Sequence, residues 1–182
     1  NFINEGTISN SNPTGYTVSF GGSVNSFVNS GVIEVGGSGA AVRFTKPPAV
    51  IENTGGLIEG TSGSAIQVWG DAGATGFVLK GGTVAGNIGL VIVASQSGTV
   101  GIDGATLSGR VVFSNPNESL AITASSLSKD LEFQGGSNDL TFTGIGTTTA
   151  GLGTNFKSTG TLDVAVINGA TLIIDEAQGV AD

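Results

Sequence analysis

The stretch NSFVNSGVIEVGG at residues 25–37 carries a pattern that occurs twice more in the chain. Residues 1–10 read NFINEGTISN, and residues 50–60 read VIENTGGLIEG. In each copy an apolar pair leads to Asn, and then come a spacer, a Gly, a second spacer and an aliphatic residue. A motif that returns at a nearly regular interval predicts a repeat architecture, in which each copy is one structural unit.

Eight repeat starts follow from this pattern, at intervals of 20 to 26 residues. They are Phe2, Phe27, Ile51, Phe77, Val100, Leu120, Leu140 and Leu162. The match is weakest near residues 120 and 140, where TASSL and TGIGTTT replace the motif. Short β-branched or aromatic segments such as AAVRF (40–44) and RVVF (110–113) predict a second strand in each repeat. Gly interrupts nearly every window of helical length, so helices are not expected.

These features predict an all-β fold, a right-handed parallel β-helix (β-solenoid) of about eight coils. We expect residues 1–182 to form a single domain of a longer protein. One coil cannot bury its own apolar face, but stacking at about 4.8 Å per coil pairs every strand with its neighbours and encloses a continuous core. Phe20, Phe44 and Trp69 occupy like positions in successive repeats, and we therefore expect their rings to stack inside the core.

The Asn and Gly residues of the motif predict a repeated corner of the coil. The Asn side chains should lie one above another and hydrogen-bond along the stack, because an amide can satisfy turn groups that have no strand partner. These residues are Asn4, Asn29 and Asn53. The Gly residues should mark places where φ is positive or where a neighbouring backbone approaches closely. These residues are Gly6, Gly31 and Gly55.

The composition excludes several kinds of site. The chain contains no Cys, Met or His, so it has no thiol nucleophile, no imidazole base and no zinc site of the His/Cys type. Its net charge is −8, and its six Lys and Arg residues are scattered singly. Because no basic stripe can follow a phosphate backbone, nucleic acid is not an expected partner. No cofactor is expected.

Carboxylates leave one route to catalysis open. Glycoside hydrolysis needs two carboxylates about 5 to 10 Å apart on one exposed face. The candidate pairs are Asp103 with Asp130 and Asp175 with Glu176. An acidic protein places its charges outside and some align by chance, so we do not expect a catalytic centre. Calcium is also not expected, because GGSGAA has Ala where a calcium-binding repeat needs Asp and GIDGATL offers one carboxylate.

The segment TKPPAV at residues 45–50 breaks the repeat, since two prolines cannot donate to a sheet ladder. We interpret it as a corner insertion or as a loop that leaves the rod, and loops on rigid scaffolds often bind partners. The candidate contact residues are Arg43, Lys46, Pro47 and Pro48. Exposed Tyr16 and Trp69 rings would suit stacking against sugars, but their places on alternating strands favour core packing.

Three segments resemble the passenger segments of bacterial autotransporters and related large surface adhesins. They are FVNSGVIEVGGSGAAVRF (27–44), IENTGGLIEGTSGSAIQVWG (51–70) and INGATLII (167–174). In that family, N-[ST]-G-x-[IL]-x-G units build a right-handed parallel β-helix. The resemblance implies a protein that is held at the surface of a Gram-negative cell or released from it. It also implies a C-terminal membrane barrel in the parent chain.

From this resemblance and from the low charge, we expect a structural or adhesive surface module. Its partner would be a host surface protein, a glycan or further copies of itself. Two alternatives stay open: a polysaccharide-active enzyme or depolymerase on the same scaffold, and a chaperone-like segment that assists folding of the passenger.

Overall fold

The computed structural model describes residues 1–70, 76–94, 98–114, 117–144, 146–150 and 156–174. In these ranges the protein is all-β, with 21 strands and no helix. The strands are β1 (Phe2–Asn4), β2 (Thr7–Asn10), β3 (Val18–Ser23), β4 (Phe27–Asn29), β5 (Val32–Val35), β6 (Ala40–Lys46), β7 (Val50–Glu52), β8 (Leu57–Gly70), β9 (Phe77–Lys80), β10 (Thr83–Ala94), β11 (Thr99–Asp103), β12 (Thr106–Leu107), β13 (Arg110–Phe113), β14 (Ser119–Thr123), β15 (Ser126–Leu127), β16 (Leu131–Phe133), β17 (Ser137–Phe142), β18 (Gly146–Ala150), β19 (Phe156–Ser158), β20 (Thr161–Val166) and β21 (Ala170–Ile174).

The strands form three parallel stacks. The first stack is a separate sheet of eight strands in the order β1-β4-β7-β9-β11-β14-β17-β20. The second runs β2-β5-β8-β10-β12-β15-β18-β21, and the third runs β3-β6-β8-β10-β13-β16-β19. The second and third stacks share the long strands β8 and β10, and so they form one 13-stranded sheet. The register between β8 and β10 shifts part of the way along their length. The predicted parallel β-solenoid is confirmed, and its right-handed winding stays a prediction.

All eight predicted repeat starts lie in strands of the first stack. In the repeats with the weakest motif, Val100 pairs with Leu120 and Leu120 pairs with Leu140, as predicted. The alternation of buried and exposed residues in β14 and β17 therefore specifies which face of each strand is buried even where the Asn-x-Gly motif is missing.

Two repeat starts are displaced from the predicted register. Ile51 pairs with Leu79 rather than Phe77, and Leu140 pairs with Val164 rather than Leu162. Successive side chains of a strand point to opposite faces, so a displacement by two residues leaves the same face toward the core. The apolar pattern of the sequence is therefore equally compatible with both registers.

One continuous apolar core lies between the stacks, and aromatic rings are ordered within it. Phe20 stacks on Phe44 with ring centroids 5.2 Å apart, as the sequence predicts. A second column begins with Phe2 on Phe27, whose centroids are 4.9 Å apart. Edge-to-face contacts join the two columns, since Phe27 meets Phe44 at 5.4 Å and an interplanar angle of 77°.

The prediction that Trp69 joins this core is wrong. Val68 pairs with Phe44 and takes the inward position, where it is 1% exposed. Trp69 is the next residue along β8 and is 48% exposed. Because side chains alternate with a period of two, an offset of one residue moves the indole ring to the outer surface. Tyr16, also predicted to pack in the core, is 38% exposed.

Candidate functional site

The three Asn residues of the motif form the predicted ladder. Nδ2 of Asn4 donates to Oδ1 of Asn29 over 2.8 Å, and Nδ2 of Asn29 donates to Oδ1 of Asn53 over 2.7 Å. The ladder ends where Asn53 donates instead to the carbonyl oxygen of Thr83 over 3.1 Å. Asn29 and Asn53 are fully buried. The ladder therefore satisfies amides inside the protein and does not offer them to a ligand.

The glycines of the motif differ in role. A Cβ on Gly31 would overlap the carbonyl oxygen of Gly6 in the preceding coil, which is the predicted close approach. Gly55 has φ +79°, which is the predicted left-handed conformation. Gly6 shows neither feature, since a Cβ there would meet no atom within 4 Å and its φ is not in the left-handed region.

The third repeat contains one residue more than the predicted alignment allows. Ile58, not Leu57, pairs with Ile33, so Gly56 takes the place that Gly31 has in the second repeat. A Cβ on Gly56 would overlap the Asn29 side chain. Gly55 is the added residue, and its positive φ accommodates the insertion without moving Asn53 off the ladder.

The segment at residues 45–50 is a short corner and not a projecting loop. Strand β6 continues through Lys46 and β7 begins at Val50, so residues 47–49 alone connect them. Pro48 is buried and Pro47 is partly buried, whereas Lys46 is exposed. Two prolines fit here because the ladder has ended and no backbone donor is needed. Of the candidate contact residues, Lys46 is thus the exposed one, whereas Arg43 is partly buried like Pro47.

Arg43 lies in an aromatic cluster on the outer surface. Its Cζ is 4.8 Å from the centroid of the Tyr16 ring and 5.6 Å from that of the Trp69 ring. Arg43 is on β6, which lies between β3 and β8 in the third stack. Tyr16 precedes β3, and Trp69 is on β8. Three consecutive coils therefore contribute one side chain each, at distances suited to cation–π interaction. We call these three residues the Arg43 cluster.

Two polar atoms at this cluster are buried and unpaired. Nε of Arg43 is buried and has no hydrogen-bond partner. Gln67 pairs with Arg43 in the neighbouring strand, and its Oε1 is also buried without a partner. A buried polar atom without a partner is uncommon in proteins and marks a place where a polar group can bind. No salt bridge joins Arg43 to an acidic residue in the described part of the chain.

The backbone around Tyr16 holds its ring beside Arg43. Nδ2 of the Asn10 side chain donates to the carbonyl oxygen of Tyr16 over 2.9 Å. The backbone N–H of Thr17 donates to the carbonyl oxygen of Ala40 over 3.1 Å. Both bonds fix the chain just before β3. Sequence reasoning missed the cluster because it placed both rings in the core. One signal in the sequence could have revealed it. Phe44 points into the core, so the side chain of Arg43, one residue earlier in the strand, points outward.

Two other basic residues, Arg110 and Lys157, are neutralised by carboxylates. Arg110 donates from Nη2 to both oxygens of Glu132, over 2.8 and 2.7 Å. These hydrogen bonds raise the pKa of the Arg110 guanidinium. Lys157 pairs with Asp130 and lies 3.8 Å from Glu132. The strands β13, β16 and β19 bring these residues into one ion-pair network on the outer face of the third stack.

Asp103 and Asp130, the first of the two candidate carboxylate pairs, lie in different parts of the solenoid. Asp103 lies on β11 of the first stack, aligned with Lys80 and Thr123. Asp130 precedes β16 in the third stack and pairs with Lys157. Asp103 is therefore in the first stack, whereas Asp130 lies next to a strand of the third stack. Asp175 and Glu176 lie outside the described residues.

Two clefts on the surface are shallow and contain single carboxylates. One is about 300 Å³ and has Glu34 among its lining residues, and the other is about 340 Å³ and has Glu132. Neither lining contains the carboxylate pair that glycoside hydrolysis requires. The described residues also contain no group of three or more Asp and Glu side chains placed to bind a metal ion.

Glu118 is the one carboxylate of the described chain that lies deep in the protein. It is 2% exposed, and the Gly98 amide donates to its Oε2 over 3.2 Å. Its Oε1 is buried without a partner. Burial raises the pKa of the Glu118 carboxyl, and the hydrogen bond from Gly98 opposes this effect.

No protein-family model, curated protein or solved structure matched the chain when each was compared with it. The resemblance to autotransporter passengers therefore stays a prediction from sequence motifs. Within the described ranges, no helix has the length and apolarity to cross a membrane.

Proposed function

We propose that the protein is a structural and adhesive module at the surface of a Gram-negative bacterium, or released from it, of the autotransporter-passenger type. The observation that carries this proposal is the Arg43 cluster, an exposed and unneutralised cationic–aromatic surface on a rigid strand stack. The cluster favours binding to a host surface molecule or a glycan.

The scaffold suits this role mechanically. Parallel strands pair from coil to coil in all three stacks, and the Asn ladder and Phe columns align side chains along the same axis. A stacked solenoid of this kind spreads its contacts over neighbouring coils and presents long regular faces. Side chains on those faces keep fixed spacings, because the strands that carry them are locked in register.

The proposal is tested by coating beads with the purified chain and measuring adhesion. Coated beads should attach to cultured epithelial cells, to immobilised glycans or to one another more strongly than beads coated with serum albumin. Beads that remain dispersed and detach from every surface as readily as the albumin control would contradict an adhesive role.

The two alternatives have no support from a specific observation in the described chain, and both stay predictions. Polysaccharide cleavage predicts the release of reducing ends from acidic glycans. Assistance in passenger folding predicts stronger protection of C-terminal amides than of N-terminal amides in hydrogen exchange.

A further inference from the structure

We propose that the Arg43 cluster, together with Gln67, binds a saccharide that carries a carboxylate. This inference rests on the adhesive role proposed above and names the ligand class and the residues that recognise it. It follows from three features of the cluster: the unused donors of Arg43, the orphan acceptor of Gln67 and the exposure of the two rings.

The first feature is an unpaired guanidinium in an acidic protein. Arg43 makes no hydrogen bond or ion pair with another described residue. This is unexpected in a chain whose net charge is −8, because acidic partners outnumber basic residues. Arg110 shows how this chain neutralises an arginine for structural purposes, through hydrogen bonds from Nη2 to both oxygens of Glu132. Arg43 has no such partner among the described residues, and its planar fork matches the two oxygens of a carboxylate.

The second feature distinguishes a saccharide from an acidic peptide. Nε of Arg43 needs an acceptor, and Oε1 of Gln67 needs a donor. A hydroxyl group supplies both at once, because it donates one hydrogen bond and accepts others. An acidic peptide would need two separate groups at these atoms, a carboxylate that accepts from Nε and a backbone N–H that donates to Oε1. Sugars present hydroxyl groups beside their carboxylates.

The third feature is the aromatic surface. Trp69 is 48% exposed and Tyr16 is 38% exposed, so both rings offer apolar surface beside the guanidinium. A sugar ring has an apolar C–H face that can cover such a surface while its hydroxyl groups reach polar atoms. Nε of Arg43 and Oε1 of Gln67 are buried, so the ligand gains access to them by displacing a neighbouring side chain.

Trp69 provides the signal for a direct test, since it is the sole tryptophan of the chain. The protein is titrated with tetragalacturonate, and tryptophan emission is recorded. Two ligands are compared with it: the methyl ester of the same oligosaccharide, which lacks the charge, and tetraglutamate, which lacks the hydroxyl groups. We expect a saturable change in emission with tetragalacturonate and at least about tenfold weaker binding of the other two ligands.

Arg43→Lys and Lys129→Gln serve as matched variants. Arg43→Lys keeps the charge but removes the planar fork and most of the ring contact, and should weaken binding about tenfold or more. Lys129→Gln removes a charge from an exposed residue outside the cluster and should bind as the parent does. Circular dichroism confirms that each variant is folded.

The proposal is overturned if tetragalacturonate gives no saturable signal, if its methyl ester or tetraglutamate binds as tightly, or if Arg43→Lys binds like the parent. The bead assay separates this failure from that of the proposed function. Beads coated with Arg43→Lys that adhere as strongly as the parent would refute the site and leave the adhesive role standing. Parent beads that fail to adhere would refute the role itself.

Discussion

At the scale of single residues, Glu118 is the group whose ionisation the fold perturbs most clearly by burial. Its carboxyl has a raised pKa in the folded protein, so the folded state binds the proton more tightly than the unfolded state does. The contribution of Glu118 to stability is therefore greatest below the ordinary carboxyl pKa and falls as the pH rises through the raised value. At neutral pH the buried charge opposes folding in full.

Glu118→Gln should consequently increase the free energy of unfolding at neutral pH by on the order of 1 kcal/mol. The melting temperature should then rise by a few degrees. At a pH below the ordinary carboxyl pKa, the variant and the parent should melt together. Glu5→Gln, at an exposed position, is the control and should change neither value. Thermal melts followed by circular dichroism at both pH values check this, and a gain that is equal at both would count against the ionisation argument.

Ala124 is strained at one corner of the coil. It has φ +45°, and Gly104 and Gly144 have φ +64° and +85° at the aligned corners of the neighbouring coils. A residue with a Cβ is disfavoured in this conformation, whereas Gly adopts it readily.

Ala124→Gly should stabilise the protein by up to about 1 kcal/mol, because relief of the strain exceeds the added entropy of the unfolded chain. Gly104→Ala makes the reverse change at the equivalent corner, where a Cβ would meet no other atom, and should destabilise by a similar amount. Urea denaturation measures both. Equal stabilities of the two variants would show that the left-handed conformation is not decisive at this corner.

At the scale of structural elements, the Asn ladder holds the corners of the first coils together. Asn29 is its central member, with bonds to Asn4 on one side and Asn53 on the other. It also donates to the carbonyl oxygen of Gly31 over 3.2 Å. Its removal leaves buried partners on both sides without their hydrogen bonds.

Asn29→Ala should therefore cost about 2–4 kcal/mol of unfolding free energy, because buried polar groups lose their partners and are not rehydrated. Asn25→Ala, four residues earlier and exposed, should cost less than about 0.5 kcal/mol. Denaturant titration of the two variants tests the ladder. A cost for Asn29→Ala no larger than that of the control would mean that the ladder forms without stabilising the fold.

At the scale of the whole molecule, each coil contacts its neighbours rather than distant coils. Phe133 is fully buried and stacks on Phe113 with centroids 4.9 Å apart, and its strand β16 pairs with β13 and β19. In such an array the stability of each part is set by its own packing and by its nearest neighbours.

Phe133→Ala should cost about 3–5 kcal/mol locally through the cavity it creates. Hydrogen exchange followed by mass spectrometry should then show lost protection in β13, β16 and β19 and nearly unchanged protection in β1 to β5. Uniform loss of protection along the chain would indicate that the solenoid unfolds as a single cooperative unit.

The sequence by itself determined the architecture. Repeats of 20 to 26 residues made of short strands and Gly turns predicted a parallel solenoid, and the spacing of Asn4, Asn29 and Asn53 predicted their ladder. These features were predictable because each depends on a chemical requirement that every coil shares. Backbone groups at the corners need partners, and every coil needs an apolar face.

The tertiary structure alone decided the register and the outer surface. The displacement by two residues that pairs Ile51 with Leu79 keeps the apolar pattern intact. The added residue Gly55 and the outward side chain of Trp69 each differ from the predicted alignment by one position. Hydrophobic periodicity specifies which face is buried but not which residues become neighbours. The Arg43 cluster joins side chains from three coils, and so it exists only once stacking has set their alignment.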